Sequence, residues 1–268
     1  MNNPVSLTAF YTCGIRMLDA AAGTPIVGDR YARHFMCDEG MKVLDRFRGL
    51  HYPNTGNLTR HRIIDEYLQH ALRGDPAANV LLIGSGFDTR AFRLRGGCWT
   101  EIDEPEIIAR KEARLPSLKC TNPLRRVPIR FGVDSLADKL LPRRNDRRVI
   151  VVLEGVLLYL DAGQIRELTA TLRQTFPRHR LVCDLVSARF LRLYSQRLQR
   201  VIRSLGASFK NFAEDPEAFV AHSGYKLVQK VSVIERATDL GKMKIPRFVL
   251  RMLRSLTQGY SVCIFDAV

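Results

Sequence analysis

The sequence predicts an α/β fold built on a doubly wound, mostly parallel sheet, and two stretches carry that expectation. In residues 79–94 an aliphatic run, 80–83, breaks into Gly84, Ser85 and Gly86 and then into a segment of helical character, the pattern of strand, tight turn and helix. Residues 148–153 carry an unbroken valine, isoleucine and leucine run, the mark of a strand buried on both faces of a parallel sheet.

The remaining elements follow in order. Residues 5–50 read mainly as helices, with 23–25 a loop and 29–35 opening a further helix; Thr59 begins the helix that leads into the first strand. A second strand is expected near 99–102, and Ile107, Ile108 and Leu115 give 104–115 helical spacing. Residues 126–133 read as a third strand ending in Asp134 and Ser135, with an N-cap for a helix from Leu136. After the strand at 148–153, Asp161 caps a helix over 162–175, and 181–186 supplies a fifth strand. From 189 to 205, Leu191, Tyr194, Leu198 and Ile202 follow helical spacing while most arginines fall elsewhere on the helix. A strand over 225–234, a helix over 246–256 and a closing strand over 260–267 complete the chain.

The turn after residue 83 carries the chemistry. Its glycines let a ligand approach the backbone closely. Asp103 lies 19 residues beyond Gly84, about where an acid in a nucleotide-binding α/β unit accepts hydrogen bonds from ribose hydroxyls. Turn and acid together point to an adenosine cofactor. The third glycine of a dinucleotide fingerprint is missing: Thr89 takes its place and Asp88 stands in the turn. That carboxylate would repel a pyrophosphate at a helix N-terminus and tolerate a cation, which favours S-adenosyl-L-methionine over NAD.

No linker or low-complexity block divides the 268 residues, so one domain spanning 1–268 is expected, with 46% hydrophobic residues to fill its core. No apolar run is long enough to span a membrane, no secretory leader opens the chain, and no membrane partner is expected. Six cysteines without a C-x-x-C pair read as reduced thiols of a cytoplasmic protein, and no cluster shows metal-ligand spacing. The net charge of +15 suggests nucleic acid, an acidic membrane surface or an anionic substrate. The arginines are spread over 125–126, 143–144, 147–148 and 189–203, which reads mainly as a solvated surface, next as attraction for an anionic substrate, and counts against nucleic acid.

The stretch from Gly84 to Leu94 resembles the G-x-G-x-D-T-R-x-x-R-L signature of the leucine carboxyl methyltransferase family, which includes bacterial polyketide O-methyltransferases. Residues 59–65, 101–106 and 153–160 agree with the family in the same order. The resemblance implies a Rossmann-like class I methyltransferase with seven strands, the last inserted antiparallel. It also implies a helical cover over 1–75, a cofactor core over 76–188, a helical lid over 189–224 and closing strands over 225–268. On the family pattern Arg60 grips the methionine carboxylate, with Arg62 as fallback; a planar, permanently charged fork suits that task. Arg16 falls where the family tends to carry a cation near the cofactor carboxylate, but its segment matches poorly and it is expected at the surface. Gly84, Ser85 and Gly86 form the cofactor turn and Asp103 takes the ribose. Asp134, beside Ser135, accepts from the adenine amino group, and Glu154 lies beside the cofactor. Tyr159 is directed toward the reacting methyl group or substrate as the catalytic residue.

The activity this implies is S-adenosylmethionine-dependent O-methylation, most simply of a carboxylate on a small acidic, polyketide-type metabolite. A carboxylate has a reference pKa near 4 and needs no base, whereas a phenol near 10 would gain from one. No histidine follows a catalytic pattern, and His222 in the lid is the single candidate. Methylation of a phenol or alcohol, and an RNA-binding or RNA-modifying role, are the alternatives.

Overall fold

The structure, a computed structural model, describes residues 4–141, 147–210 and 213–268; Arg143 and Arg144 lie outside the described residues. The seven strands are β1 (Asn79–Ile83), β2 (Cys98–Asp103), β3 (Leu124–Pro128), β4 (Val149–Leu153), β5 (His179–Val186), β6 (Tyr225–Ser232) and β7 (Tyr260–Ala267). They form one sheet in the order β3-β2-β1-β4-β5-β7-β6. The first five run parallel and β7 is antiparallel to both β5 and β6. The order reverses between β1 and β4, and the carboxyl ends of these strands frame the crevice where open α/β sheets bind ligands.

The helices are α1 (Pro4–Ala20), α2 (Asp38–Phe47), α3 (His51–Gly74), α4 (Arg90–Arg93), α5 (Pro105–Arg114), α6 (Leu136–Leu140) and α7 (Ala162–Thr175). They continue with α8 (Ala188–Tyr194), α9 (Gln196–Ser204), α10 (Pro216–His222), α11 (Val233–Asp239), α12 (Arg247–Met252) and α13 (Arg254–Thr257). Side chains alternate across the sheet. Val80, Leu82, Ile150 and Val152 pack with Ile64, Leu68 and Leu72 of α3 on one face. Leu81, Ile83, Val151 and Leu153 pack with Ile165 and Leu172 of α7 on the other. A third cluster joins α1 and α2 to Phe87, Ile107 and Ile202 above the strand ends.

Six expected elements differ from what forms. The third strand ends at Pro128 instead of Val133, because the chain turns at Gly132 (φ +80°) and Asp134 accepts the Arg130 N–H, leaving Asp134 and Ser135 on a loop. Residues 29–35 give only a 3₁₀ turn, since the buried Asp29 carboxylate takes the Tyr31 N–H and the Arg16 side chain. α3 starts at His51, eight residues before Thr59, with Pro53 in a first turn where a missing N–H costs little. The helix expected over 189–205 breaks at Ser195 and that over 246–256 at Leu253. β6 stops at Ser232, whose Oγ caps α11 by accepting the Glu235 N–H. The Asp161 cap forms as expected, reciprocated by Gln164.

Candidate functional site

The bend after β1 is fixed by its neighbour strand. Gly84 and Ser85 donate their N–H groups to the Ile102 carbonyl at 2.9 and 3.2 Å. Gly84 has φ +68°, and a Cβ there would stand 2.7 Å from Cγ2 of Val156, so only glycine fits. The Gly86 N–H donates to Asp103 Oδ2 at 2.6 Å and the Glu104 N–H to Oδ1 at 2.7 Å, seating the carboxylate against the bend. Burial raises the Asp103 carboxyl to about 6, against the opposing pull of those two donors. Ser85 Oγ is buried at the same bend without a hydrogen-bond partner. A cavity of about 1240 Å³ opens onto this turn.

Beneath the cavity lies a continuous ion network. Arg90, fully buried on α4, pairs with Asp65 of α3 at 2.6 Å, with Glu154 at the end of β4 at 2.7 Å, and with Asp88. Arg60 of α3 links Glu154 at 3.1 Å to Asp184 of β5 at 3.0 Å. Arg93 joins Asp65 at 2.7 Å to Asp29 at 3.6 Å, and Arg16 of α1 closes the chain on Asp29 at 3.0 Å. His61 sits inside: Nδ1 faces Glu154 at 3.1 Å and Arg90 at 2.8 Å, and Nε2 faces Arg93 at 2.9 Å. Burial and the Arg90 charge lower the His61 pKa, so the ring is neutral at pH 7. Burial alone would raise the Glu154 carboxyl, but the Arg90 and Arg60 charges and the hydrogen bond to His61 outweigh it and hold it well below the usual carboxylate range. Four arginines thus meet five carboxylates, which leaves one negative charge beneath the cavity.

Of the residues singled out from the sequence, Arg60, Gly84, Ser85, Gly86, Asp103, Asp134, Ser135, Glu154 and Tyr159 all line this one cavity. Their surroundings differ. Asp134 is held by Arg130 at 2.6 Å, and the Ser135 Oγ, which caps α6, accepts the Asp138 N–H. Tyr159 meets Phe209 edge-on at 5.3 Å, and burial pushes its phenol up to about 12. Arg62 pairs with Glu66 at 2.7 Å and donates to the Ile26 carbonyl, away from the cavity wall. His222 is exposed at the end of α10 and does not line the cavity.

Arg16 corrects its expected place at the surface: it is buried, donates to the Phe87 carbonyl at 2.6 Å and lines the cavity. The sequence reading also missed His61, whose i,i+4 spacing to Asp65 on α3 was the one available signal. Asp88 does not face the ligand space alone, because Arg90 neutralises it. His61, Asp88 and Glu154 bring ligand atoms within 4.8 Å of one another, a cluster the sequence spacing did not reveal. The Arg90 guanidinium already occupies the place between them.

The lining drawn from residues 190–210 is mostly apolar, with Ser195 and Lys210 as its polar members. Leu191, Tyr194, Leu198, Ile202 and Phe209 contribute to it from α8, α9 and the loop beyond. Arg192, Arg197, Arg200 and Arg203 on the same helices are exposed and absent from the cavity lining, and Arg192 pairs with Glu214 at 2.8 Å. These four arginines form the solvated face that the sequence favoured, while Lys210 of the same segment lines the cavity.

Residues 9–173 match the leucine carboxyl methyltransferase family model. The chain belongs to the leucine carboxyl methyltransferase family. A Streptomyces coelicolor protein, provisionally described as an S-adenosyl-L-methionine-dependent methyltransferase, is 32% identical over 148 residues, 50% of this chain and 48% of that protein. The chain thus spans about half the length of that relative. The tetracenomycin polyketide synthesis O-methyltransferase TcmP of Streptomyces glaucescens is 24% identical over 261 residues, 94% of this chain and 91% of TcmP. A provisionally described methyltransferase from Thermobifida fusca has the same fold, with a TM-score of 0.61, 17% identity and 94% of both chains covered.

S-adenosyl-L-methionine is the cofactor of this family, and the site fits it. An orphaned Ser85 hydroxyl and a buried carboxylate face the bend, and the network below carries a residual negative charge suited to a sulfonium.

Arg90→Met should lower unfolding free energy by about 3–5 kcal/mol, because it removes the buried cation shared by Asp65, Asp88 and Glu154 and leaves Asp88 without an ion-pair partner among the described residues. Urea denaturation monitored by circular dichroism checks this; a loss below about 1 kcal/mol would show that the network does not hold the fold.

Proposed function

We propose that the protein is an O-methyltransferase that esterifies the carboxylate of a small acid with an apolar body. The observation that carries this reading is the composition of the cavity. Leu191, Leu198, Ile202 and Phe209 give its lining a large apolar area with Lys210 beside it, and the only histidine among its lining residues, His61, has both ring nitrogens engaged in the ion network. A phenol would need a free base there. A carboxylate is already ionised at neutral pH and needs none. The alignment with TcmP, an O-methyltransferase of polyketide synthesis, over nearly the whole chain supports oxygen as the acceptor atom.

Bound S-adenosyl-L-methionine would supply an electrophilic methyl group on a positively charged sulfur. The chain's own residues bind and orient. Asp103 accepts from the ribose hydroxyls, and Ser85 and the Gly84–Gly86 backbone pack against the nucleoside. Asp134 and Ser135 stand at the adenine end. Arg60 meets the methionine carboxylate, while Glu154 and the net negative network favour the cationic portion. Tyr159 and Phe209 position the acceptor, and the apolar side chains of α8 and α9 exclude water from it. Such orientation is worth roughly 7–11 kcal/mol when the reacting groups are well aligned.

Two measurements test this reading. Incubation with methyl-labelled S-adenosyl-L-methionine and a panel of aromatic and aliphatic acids and phenols should give label on acids, released by mild base as an ester would be. Base-stable label on a phenol would overturn the choice of acceptor. The raised Asp103 carboxyl sets a pH window: its charged form is lost as pH falls through about 6, so cofactor affinity should rise through pH 6 and level off above it. Asp103→Asn should abolish that step and weaken calorimetric affinity about tenfold or more, the worth of charge-assisted hydrogen bonds. An unchanged affinity would remove Asp103 from the ribose.

A further inference from the structure

Residues 240–258 contain Lys242, Lys244, Arg247, Arg251 and Arg254 and no acidic residue. Residues 188–210 contain five arginines and Lys210, again with no acid. Lys242 donates to Thr24 and Arg192 pairs with Glu214, but Arg247, Arg251 and Arg254 are exposed and form no ion pair among the described residues. Large apolar side chains stand among these charges. Phe248 is 66% exposed, Met252 77% and Leu253 40% on α12 and its junction with α13, and Leu193 is 56% exposed on α8. The two segments adjoin, since Tyr194 Oη lies 3.4 Å from Ser255 Oγ. Leu193, Tyr194, Ile245 and Leu256 from the same segments line the large cavity, so the patch flanks its mouth.

We propose that this face docks on an anionic lipid bilayer, with Phe248 and Met252 entering the headgroup layer and the arginines meeting lipid phosphates. Protruding phenylalanine, methionine and leucine within a field of uncompensated cations is the composition of an interfacial contact. No helix among the described residues is long and apolar enough to cross a membrane, so the contact is peripheral. A second copy of the chain is disfavoured as occupant, because two such faces would set like charges against each other. Charges spread over two helical segments suit a surface that repeats its negative charge in every direction. An apolar acid could then pass from lipid to cavity. That last step rests on the proposed carboxylate acceptor, whereas the docking itself does not.

Co-sedimentation with vesicles of phosphatidylcholine alone, or mixed with phosphatidylglycerol, tests the docking without any methyl transfer. The protein should pellet with the phosphatidylglycerol vesicles, stay in solution with phosphatidylcholine, and be released by salt. The pairs Phe248→Ser with Met252→Ser, and Arg251→Glu with Arg254→Glu, should each weaken vesicle affinity about tenfold or more. Their urea midpoints and cofactor affinity should stay unchanged. Absence of pelleting, equal pelleting with both vesicle types, or full retention of binding by both double variants would overturn the proposal. Binding to soluble polyglutamate as tight as to the vesicles would also overturn it, in favour of an acidic protein as the occupant.

Discussion

The structure depends on the Arg90 guanidinium, which draws three carboxylates from α3, from the loop before α4 and from the end of β4 into one buried point. Arg60 of α3 makes a second tie from the helical cover to the carboxyl edge of the sheet, through Glu154 and Asp184. The apolar clusters hold the faces of the sheet. Through Asp65, Glu154 and Asp29, the charges reach Arg60, Arg93 and Arg16, and so couple α1, α3, β4 and β5. Burying so many ions is expensive unless each is paired, and here each arginine has a carboxylate within 3.1 Å. The arrangement fixes side chains around the bend after β1, as a rigid supporting layer beneath a candidate site would.

The same network explains the electrostatic character of the cavity. Its carboxylates outnumber its arginines by one, and Asp103 adds a further carboxylate at the bend. A pyrophosphate would meet this charge unfavourably and a sulfonium favourably. The conclusion first drawn from Asp88 alone survives, although for a different reason: Asp88 is neutralised by Arg90, and the surplus belongs to the network as a whole.

What the sequence disclosed, and what it concealed, follows from the separation of the residues involved. The bend and its acid were legible because β1, the turn and β2 occupy one short stretch whose glycines, aliphatic run and acid can be placed by local rules. The strands at 148–153 and 260–267 were legible because each is built on an unbroken apolar run, 149–153 and 262–265. The third strand was overextended because residues 129–133 keep a strand-like composition, while the Arg130–Asp134 contact and Gly132 turn the backbone. Arg16 was misplaced because its partner Phe87 is 71 positions away. His61 escaped notice because no sequence spacing records that α3 and β4 meet there. The outward aim of the arginines on α8 and α9 depends likewise on how those helices seat over the cavity.

The central claim is that this bend, seated on a negatively biased ion network, holds a positively charged sulfur nucleoside. Isothermal titration of the purified protein with S-adenosyl-L-methionine at neutral pH tests it most directly. Saturable binding at one site per chain, lost in Gly84→Val, whose side chain would be driven into Val156, is the expected result. Heat without saturation, or undiminished binding by a folded Gly84→Val protein, would contradict it.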